Sequence, residues 1–274
     1  MPQRIDIDGL DETALARLFV NSASAAGARI MSHYGALETV GRKPDASPVT
    51  IADHEAEEII KKMIEPELPS VPIWAEESAH GWTETGTVET PFILVDPVDG
   101  TKEFIRKGTD FTVNIALVAS RLPVFGVVYC PALDTVYWGG TSAFTGRLPP
   151  GADFEDICET RTVVTVRQPE PGNLKAAASH RHRDAETDAF LSKLGITDCV
   201  SRGSSLKFCL VAKGDVDVYP RFGPTMEWDT AAGEAILRAA GGTVLTPEGE
   251  PFLYGKGTAG FLNGPFIAWG GRVL

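Results

Sequence analysis

The stretch Ile93-Leu-Val-Asp96-Pro-Val-Asp99-Gly100-Thr101-Lys102-Glu103-Phe104 constrains this chain more than any other. An apolar strand runs directly into two aspartates three residues apart. Taken alone, Asp-Pro-Val-Asp-Gly is also a turn, because proline suits the second turn position and Asp-Gly its end. It is a poor calcium loop of the helix–loop–helix kind. Such a loop wants acids or asparagine at positions 1, 3 and 5 and glycine at 6. Counted from Asp96, positions 3, 5 and 6 are Val98, Gly100 and Thr101.

Three further acids change the argument. Glu76 follows the short apolar segment Val71–Ala75, Asp229 opens a helical stretch at Trp228, and Asp53 opens an earlier one. Each has an ordinary explanation by itself: a solvated loop acid, or helix N-terminal acids favoured by capping and the dipole. Together they put carboxylates at the ends of four elements, where α/β folds assemble their sites. Carboxylates from separate elements are the hard oxygen ligands that Mg²⁺ prefers.

The remaining pattern predicts alternating layers. Residues 10–34 read as a helix. A second helix carries Ala56, Ile59, Ile60, Met63 and Ile64 on one face, with Thr50 and Asp53 as a capping pair and Pro66 and Pro69 at its end. Strands are expected at Val71–Ala75, Phe92–Asp96, Phe111–Ala119, Pro123–Cys130 and Thr135–Trp138. Residues 139–160, rich in glycine and proline, read as a surface excursion. The second half alternates: strands at Arg161–Val166, Leu174–Ala178 and Val216–Tyr219, and helices at Ala185–Leu194, Ser204–Lys213 and Trp228–Ala240. The expectation is an α/β fold in two sheet-containing halves, 1–158 and 159–274, with helices covering the sheets.

Composition excludes several functions. The net charge of −12 opposes a general nucleic-acid surface, which needs a basic face. An acidic chain still takes anions where metal ions or a local basic pocket invert the field. No stretch is long and apolar enough to span a bilayer, and no secretory signal opens the chain. Cys130, Cys158, Cys199 and Cys209 form no CxxC pair, so a reducing cytoplasm is expected. Peripheral contact with the inner membrane stays open, and the oligomeric state is not legible.

These motifs, in this order, resemble the lithium-sensitive, Mg²⁺-dependent phosphatase superfamily of inositol monophosphatase. The resemblance runs from Ser47-Pro-Val-Thr50-Ile-Ala-Asp53, through Glu76-Glu77-Ser78 and Asp96-Pro-Val-Asp99-Gly100-Thr101, to Trp228-Asp229-Thr230-Ala-Ala-Gly233 and Gly242. It implies an αβαβα sandwich. It implies that Glu76, Asp96 and the Val98 carbonyl hold one Mg²⁺, and that Asp96, Asp99 and Asp229 hold a second. Glu76 would also help hold a weaker third ion. Such ions generate a nucleophilic water and stabilise the leaving oxygen. Thr101 and Asp53 resemble the water-activating pair, hydroxyl and base. Thr101 is equally a helix N-cap, and the Gly100 and Thr101 N–H groups could cradle a phosphate oxygen.

Asp-Gly-Thr-Lys102-Glu-Phe resembles the CysQ-type 3'(2'),5'-bisphosphate nucleotidases, where inositol monophosphatases usually carry Thr-Asn-Phe. Gly203-Ser204-Ser205-Leu-Lys207-Phe208-Cys209 and Tyr219-Pro-Arg221-Phe-Gly-Pro224-Thr agree with that subfamily. A second phosphate needs cations, which Lys207 and Arg221 could supply. Ser204 and Ser205 are either phosphate donors or N-caps. Lys207 is equally a solvated helix residue and Arg221 a surface loop residue. Ser179 and His180 stand where the subfamily has a substrate contact, within a basic segment that also reads as a solvated loop.

The resemblance therefore implies removal of the 3'-phosphate of adenosine 3',5'-bisphosphate, with the sulfated analogue as a further substrate. The partner would be a small nucleotide bisphosphate, not a nucleic-acid polymer. The rival readings are an inositol or other sugar phosphatase of the same superfamily, and a non-catalytic binding protein on the same scaffold. The tail from Phe252 to Leu274 and residues 139–160 carry no motif.

Overall fold

The computed structural model describes residues 5–35, 41–42, 48–79, 90–157, 159–170, 172–178 and 184–271. Two helices begin the chain. Helix α1 (Glu12–His33) starts where Asp11 accepts a hydrogen bond from the Ala14 N–H. Helix α2 (Ile51–Ile64) starts with a reciprocal capping box between Thr50 and Asp53, as the sequence predicts. Both bury one aliphatic face, with Leu15, Phe19 and Ile30 from the first and Ile60 and Ile64 from the second fully buried.

That face rests on a seven-stranded sheet. In chain order its strands are β1 (Ile73–Ala75), β2 (Phe92–Asp99), β3 (Thr112–Ala119), β4 (Leu122–Cys130), β5 (Thr135–Gly139), β6 (Ala143–Arg147) and β7 (Thr162–Val164). They lie side by side in that order. Only the β1–β2 pair is parallel. β2 and β3 are apolar almost throughout because both faces are covered.

The second face of this sheet meets helix α6 (Glu227–Ala239), with α5 (Leu206–Ala212) beside it. The approach is close. A Cβ on Gly126 of β4 would lie 2.6 Å from the Ala232 carbonyl oxygen, so only glycine admits the helix backbone there. Beyond α5 and α6 lies a five-stranded sheet of β8 (Lys175–Ala178), β9 (Asp198–Ser201), β10 (Val218–Arg221), β11 (Thr243–Leu245) and β12 (Phe266–Trp269), in the order β9-β8-β10-β12-β11. Helix α4 (Ala185–Lys193) covers its outer face through Leu191, against Ala176, Val218 and Ile267. The five layers are the expected αβαβα sandwich.

Two expectations are corrected. Residues 139–160 are not a mere excursion: β6 pairs on both sides, and Leu148 and Ile157 are buried. Glycine and few aliphatics hid a strand whose Phe144 stacks on Trp138. Val216–Tyr219 is displaced by two residues, so Arg221 ends β10 paired to Phe266 and does not sit in a following loop. The motif-free tail supplies β12, an interior strand of its sheet. The seven-stranded sheet also takes its edge strand β7 from beyond residue 158.

Candidate metal and phosphate site

β2 delivers two of the acids. Its regular pairing with β3 breaks between Asp96 and Asp99, so both carboxylates leave the ladder on the same side of the strand end. Asp96 is buried and accepts from the Val98 N–H at 3.0 Å. Asp229 comes from the first turn of α6, where its second oxygen accepts from the Met226 N–H at 2.7 Å. Oxygens of Asp96, Asp99 and Asp229 all fall within 4.8 Å of one another.

This crowding is electrostatically costly. Burial, and then the facing charges of Glu76, Asp99 and Asp229, push the Asp96 carboxyl well above the usual range. Burial followed by Asp99 and Glu76 pushes Asp229 up to about 8. Burial also raises Asp99, opposed first by Lys207 and then by Ser205 and Asn114. Three acids with clustered oxygens, faced by Lys207 at Asp99, form a donor set that a hard divalent ion could occupy, which would relieve the repulsion. Glu76, one residue past β1, faces the same cluster.

Asp99 is fixed by groups from β3 and from the start of α5. Its Oδ2 accepts from the Ser205 N–H (2.8 Å), the Ser205 hydroxyl (3.1 Å) and Asn114 Nδ2 (3.4 Å). The Ser205 hydroxyl also lies 2.7 Å from the Asp229 carbonyl oxygen, tying β2 to α6. The Ser204 hydroxyl is held by the Asp99 and Asp110 carbonyls at 2.8 and 2.9 Å. Neither serine hydroxyl caps α5. Both instead stiffen the acidic strand end. Gly100 lies against them at φ 99°, and a Cβ there would come 2.5 Å from Ser204 Oγ.

Thr101 opens the short helix α3 (Thr101–Ile105). Its hydroxyl lies 3.1 Å from Asp53 Oδ1 and 3.2 Å from the Val98 carbonyl, and its single hydrogen serves one acceptor at a time. The other oxygen of Asp53 is held by the Thr50 N–H and hydroxyl at 2.8 and 2.7 Å. The helix-capping acid and the acid beside Thr101 are one residue, so the two readings of Asp53 are compatible.

Of these groups, Glu76, Asp99, Gly100, Thr101, Ser204 and Asp229 line one cleft of roughly 760 Å³. Lys102, Lys207 and Arg221 line it too, with Arg106 and Arg202. Lys207 is buried under the Tyr219 ring, its Nζ 2.7 Å from the Ser204 carbonyl. Burial pushes its ammonium down to about 8, while Asp99 works the other way. Arg221 donates to the Gly223 and Pro224 carbonyls. Ser179 and His180 lie outside the described residues.

Several supporting residues carried no sequence signal. Glu57, buried in α2, accepts from the Glu77 N–H at 2.8 Å and so anchors the turn that bears Glu76. Asn114, in the middle of an apolar strand, reaches both Asp99 and Ser205. Glu227 accepts from the Gly255 and Lys256 N–H groups and from Lys256 Nζ, at 2.9 to 3.0 Å, and pins the tail to the start of α6.

Residues 11–265 match the inositol monophosphatase family, and the chain belongs to that family of metal-dependent phosphatases. Within it, the 3'(2'),5'-bisphosphate nucleotidase CysQ of Escherichia coli strain K12 is 42% identical over 234 residues, covering 85% of this chain and 90% of the relative. CysQ of Buchnera aphidicola is 39% identical over 249 residues, 90% of each. The crystal structure of CysQ from Bacteroides thetaiotaomicron superposes with a TM-score of 0.79 at 36% identity, over 96% of this chain and 99% of that one. The inositol monophosphatase of Anabaena, at 24% identity and a TM-score of 0.71, shares the fold over 94% of this chain and 91% of its own.

Proposed function

We propose that this chain is a Mg²⁺-dependent phosphatase that removes the 3'-phosphate of adenosine 3',5'-bisphosphate, giving AMP and phosphate. The observation that carries this reading is the pairing, in one cleft, of an acidic floor with five cationic side chains in a chain of net charge −12. The CysQ relatives support the same substrate class.

Glu76, Asp96 and the Val98 carbonyl would hold one ion, and Asp96, Asp99 and Asp229 a second, with Glu76 also near a third. Bound there, Mg²⁺ supplies Lewis-acid chemistry to water and phosphoryl oxygens. The protein's own part is proton handling and positioning. The Thr101 hydroxyl orients the attacking water and passes a proton to Asp53 Oδ1, while Thr50 holds the other Asp53 oxygen still. The Gly100 and Thr101 N–H groups, at the left-handed turn into α3, face the transferred phosphoryl group. Lys102, Lys207 and Arg221 face the anionic substrate, and Ser204 and Ser205 act by holding Asp99. Ser179 and His180 are proposed as further substrate contacts.

Phosphate release with Mg²⁺ from adenosine 3',5'-bisphosphate, inositol 1-phosphate and fructose 1,6-bisphosphate tests this. A kcat/KM at least tenfold higher for the nucleotide, about 1.4 kcal/mol of transition-state preference, is expected. Preference for a sugar phosphate would keep the metal chemistry and overturn the substrate assignment. Release from none would overturn the enzyme.

A further inference from the structure

The backbone around Glu76 is tied on two sides. Its own N–H donates at 3.1 Å to the carbonyl of Val95, the residue before Asp96 in β2. The next N–H, that of Glu77, donates to Glu57 Oε2 at 2.8 Å. The turn itself is closed by the Ser78 N–H on the Ala75 carbonyl at 3.2 Å. Lys61, one helical turn beyond Glu57, reaches the same segment. Its Nζ lies 3.2 Å from Ser78 Oγ and 3.8 Å from Glu57 Oε1. Helix α2 therefore grips residues 77 and 78 at two points, one buried and one partly exposed.

Asp53, Glu57 and Lys61 stand four residues apart and form one row along α2. The first member meets Thr101, and the other two meet the turn that bears Glu76. One helix thus fixes the acid beside Thr101 and a proposed metal ligand relative to each other. Glu57 is only 5% exposed. An aliphatic residue would fill that place without the cost of burying a carboxylate, but it would offer nothing to the Glu77 N–H. Mg²⁺ demands near-ideal octahedral geometry, so a ligand must be held where it is needed. We propose that Glu57 and Lys61 are positioning residues that hold Glu76 ready for the metal. This rests on the reading of the acidic cluster as a Mg²⁺ site, and it adds two residues that belong to the helix behind the site.

The test is calorimetric titration of the substrate-free protein with Mg²⁺, in the wild type, Glu57→Leu, Glu57→Gln and Lys61→Met. Affinity is expected to fall at least tenfold in Glu57→Leu, the size of effect typical of groups that orient metal ligands. Glutamine keeps a carbonyl oxygen for the Glu77 N–H, so Glu57→Gln should recover to within about threefold of wild type. Lys61→Met loses the Ser78 contact and should fall between the two. Turnover at saturating Mg²⁺ should stay within about threefold of wild type, so the loss appears in the Mg²⁺ half-saturation and not in kcat. A merely structural role predicts a lower melting temperature of the metal-free variants with Mg²⁺ affinity unchanged, and that result overturns the inference while leaving the metal site in place. Lys61 is partly exposed, so Lys61→Met should fold even if Glu57→Leu does not, and wild-type affinity in that variant overturns the two-point grip by itself. A wild type that takes up no Mg²⁺ overturns the metal reading, and this inference with it.

Discussion

Helix α6 carries two kinds of buried carboxylate within two turns. Asp229 points into a cluster of other acids and shares it with Asp96 and Asp99. Glu227 and Glu234 are fully buried where Asp229 is only partly so; Glu227 faces donors on both oxygens and Glu234 on one, its Oε1 having no hydrogen-bond partner. Glu227 takes two backbone N–H groups and the Lys256 ammonium, and Glu234 takes the Tyr254 hydroxyl at 2.8 Å. Burying a charge is costly in both places. Where the protein itself supplies donors, the carboxylate is a structural joint. Where donors still leave several carboxylates facing one another, as at Asp96, Asp99 and Asp229, a counter-charge from outside would relieve the cost.

The comparison can be broken most sharply at the cluster. Asp96→Asn should lower turnover at least a thousandfold, since an amide is a poor ligand where a buried carboxylate stood. It should also raise the melting temperature of the metal-free protein, because one of the crowded charges is gone. Activity retained with Mg²⁺, or a lower melting temperature, would contradict the account. A wild-type control should gain thermal stability on adding Mg²⁺ and lose it on chelation.

At the structural joint the signs reverse. Glu227→Gln removes the charge from several charge-assisted hydrogen bonds, and denaturant titration should find a loss of about 2–4 kcal/mol, present with or without Mg²⁺. An effect confined to the Mg²⁺-loaded form would move Glu227 into the metal cluster. Glu234, with a donor on one oxygen only, sides with the cluster and not with Glu227, and pH shows it. Burial pushes its carboxyl up to about 8, against an unfolded value near ~4.3. The folded chain then resists an ionisation the unfolded chain accepts, so stability falls as pH rises from about 4.3 to about 8. Glu234→Gln should remove this part of the slope and be more stable than wild type at pH 9 by up to roughly 5 kcal/mol. Arg238, 3.7 Å from Glu234, is half-exposed and too weakly placed to reverse the sign. The smallest effect is expected at Ser205→Ala. It frees one side of Asp99 and should raise the Mg²⁺ half-saturation several-fold while costing about 1 kcal/mol of stability.

The acids proposed to act were legible in the sequence because each sits beside an element end with its own local signature. Asp96 and Asp99 terminate an apolar strand, and Asp53 and Asp229 fall in the first turns of helices. The residues that hold them were not legible, since their partners are distant along the chain. Asn114 looks like a polar interruption of a strand, yet it serves a serine ninety-one residues away. Glu57 pairs with Lys61 at helical spacing and so resembles a solvated face, until the Glu77 N–H is seen resting on it. Ser204 and Ser205 suggested capping or substrate contact from their place before a helix; in place of capping, their hydroxyls grip the strand end that carries Asp99. Strand β6 was hidden because a pattern of alanine, threonine and glycine has little periodic contrast.

Helix α6 also bears on how this chain can vary. It is pressed between two sheets, with Ala231, Ala232 and Ala235 buried, Gly126 beneath it and Gly233 against Phe208. A residue there is read twice, once by each neighbouring layer: a methyl group gained toward β4 must be absorbed by a strand of the first half, and one gained toward α5 by Phe208 of its own half. At the first contact, Gly126 against Ala232, compensating changes would have to appear in pairs more than a hundred residues apart in the chain.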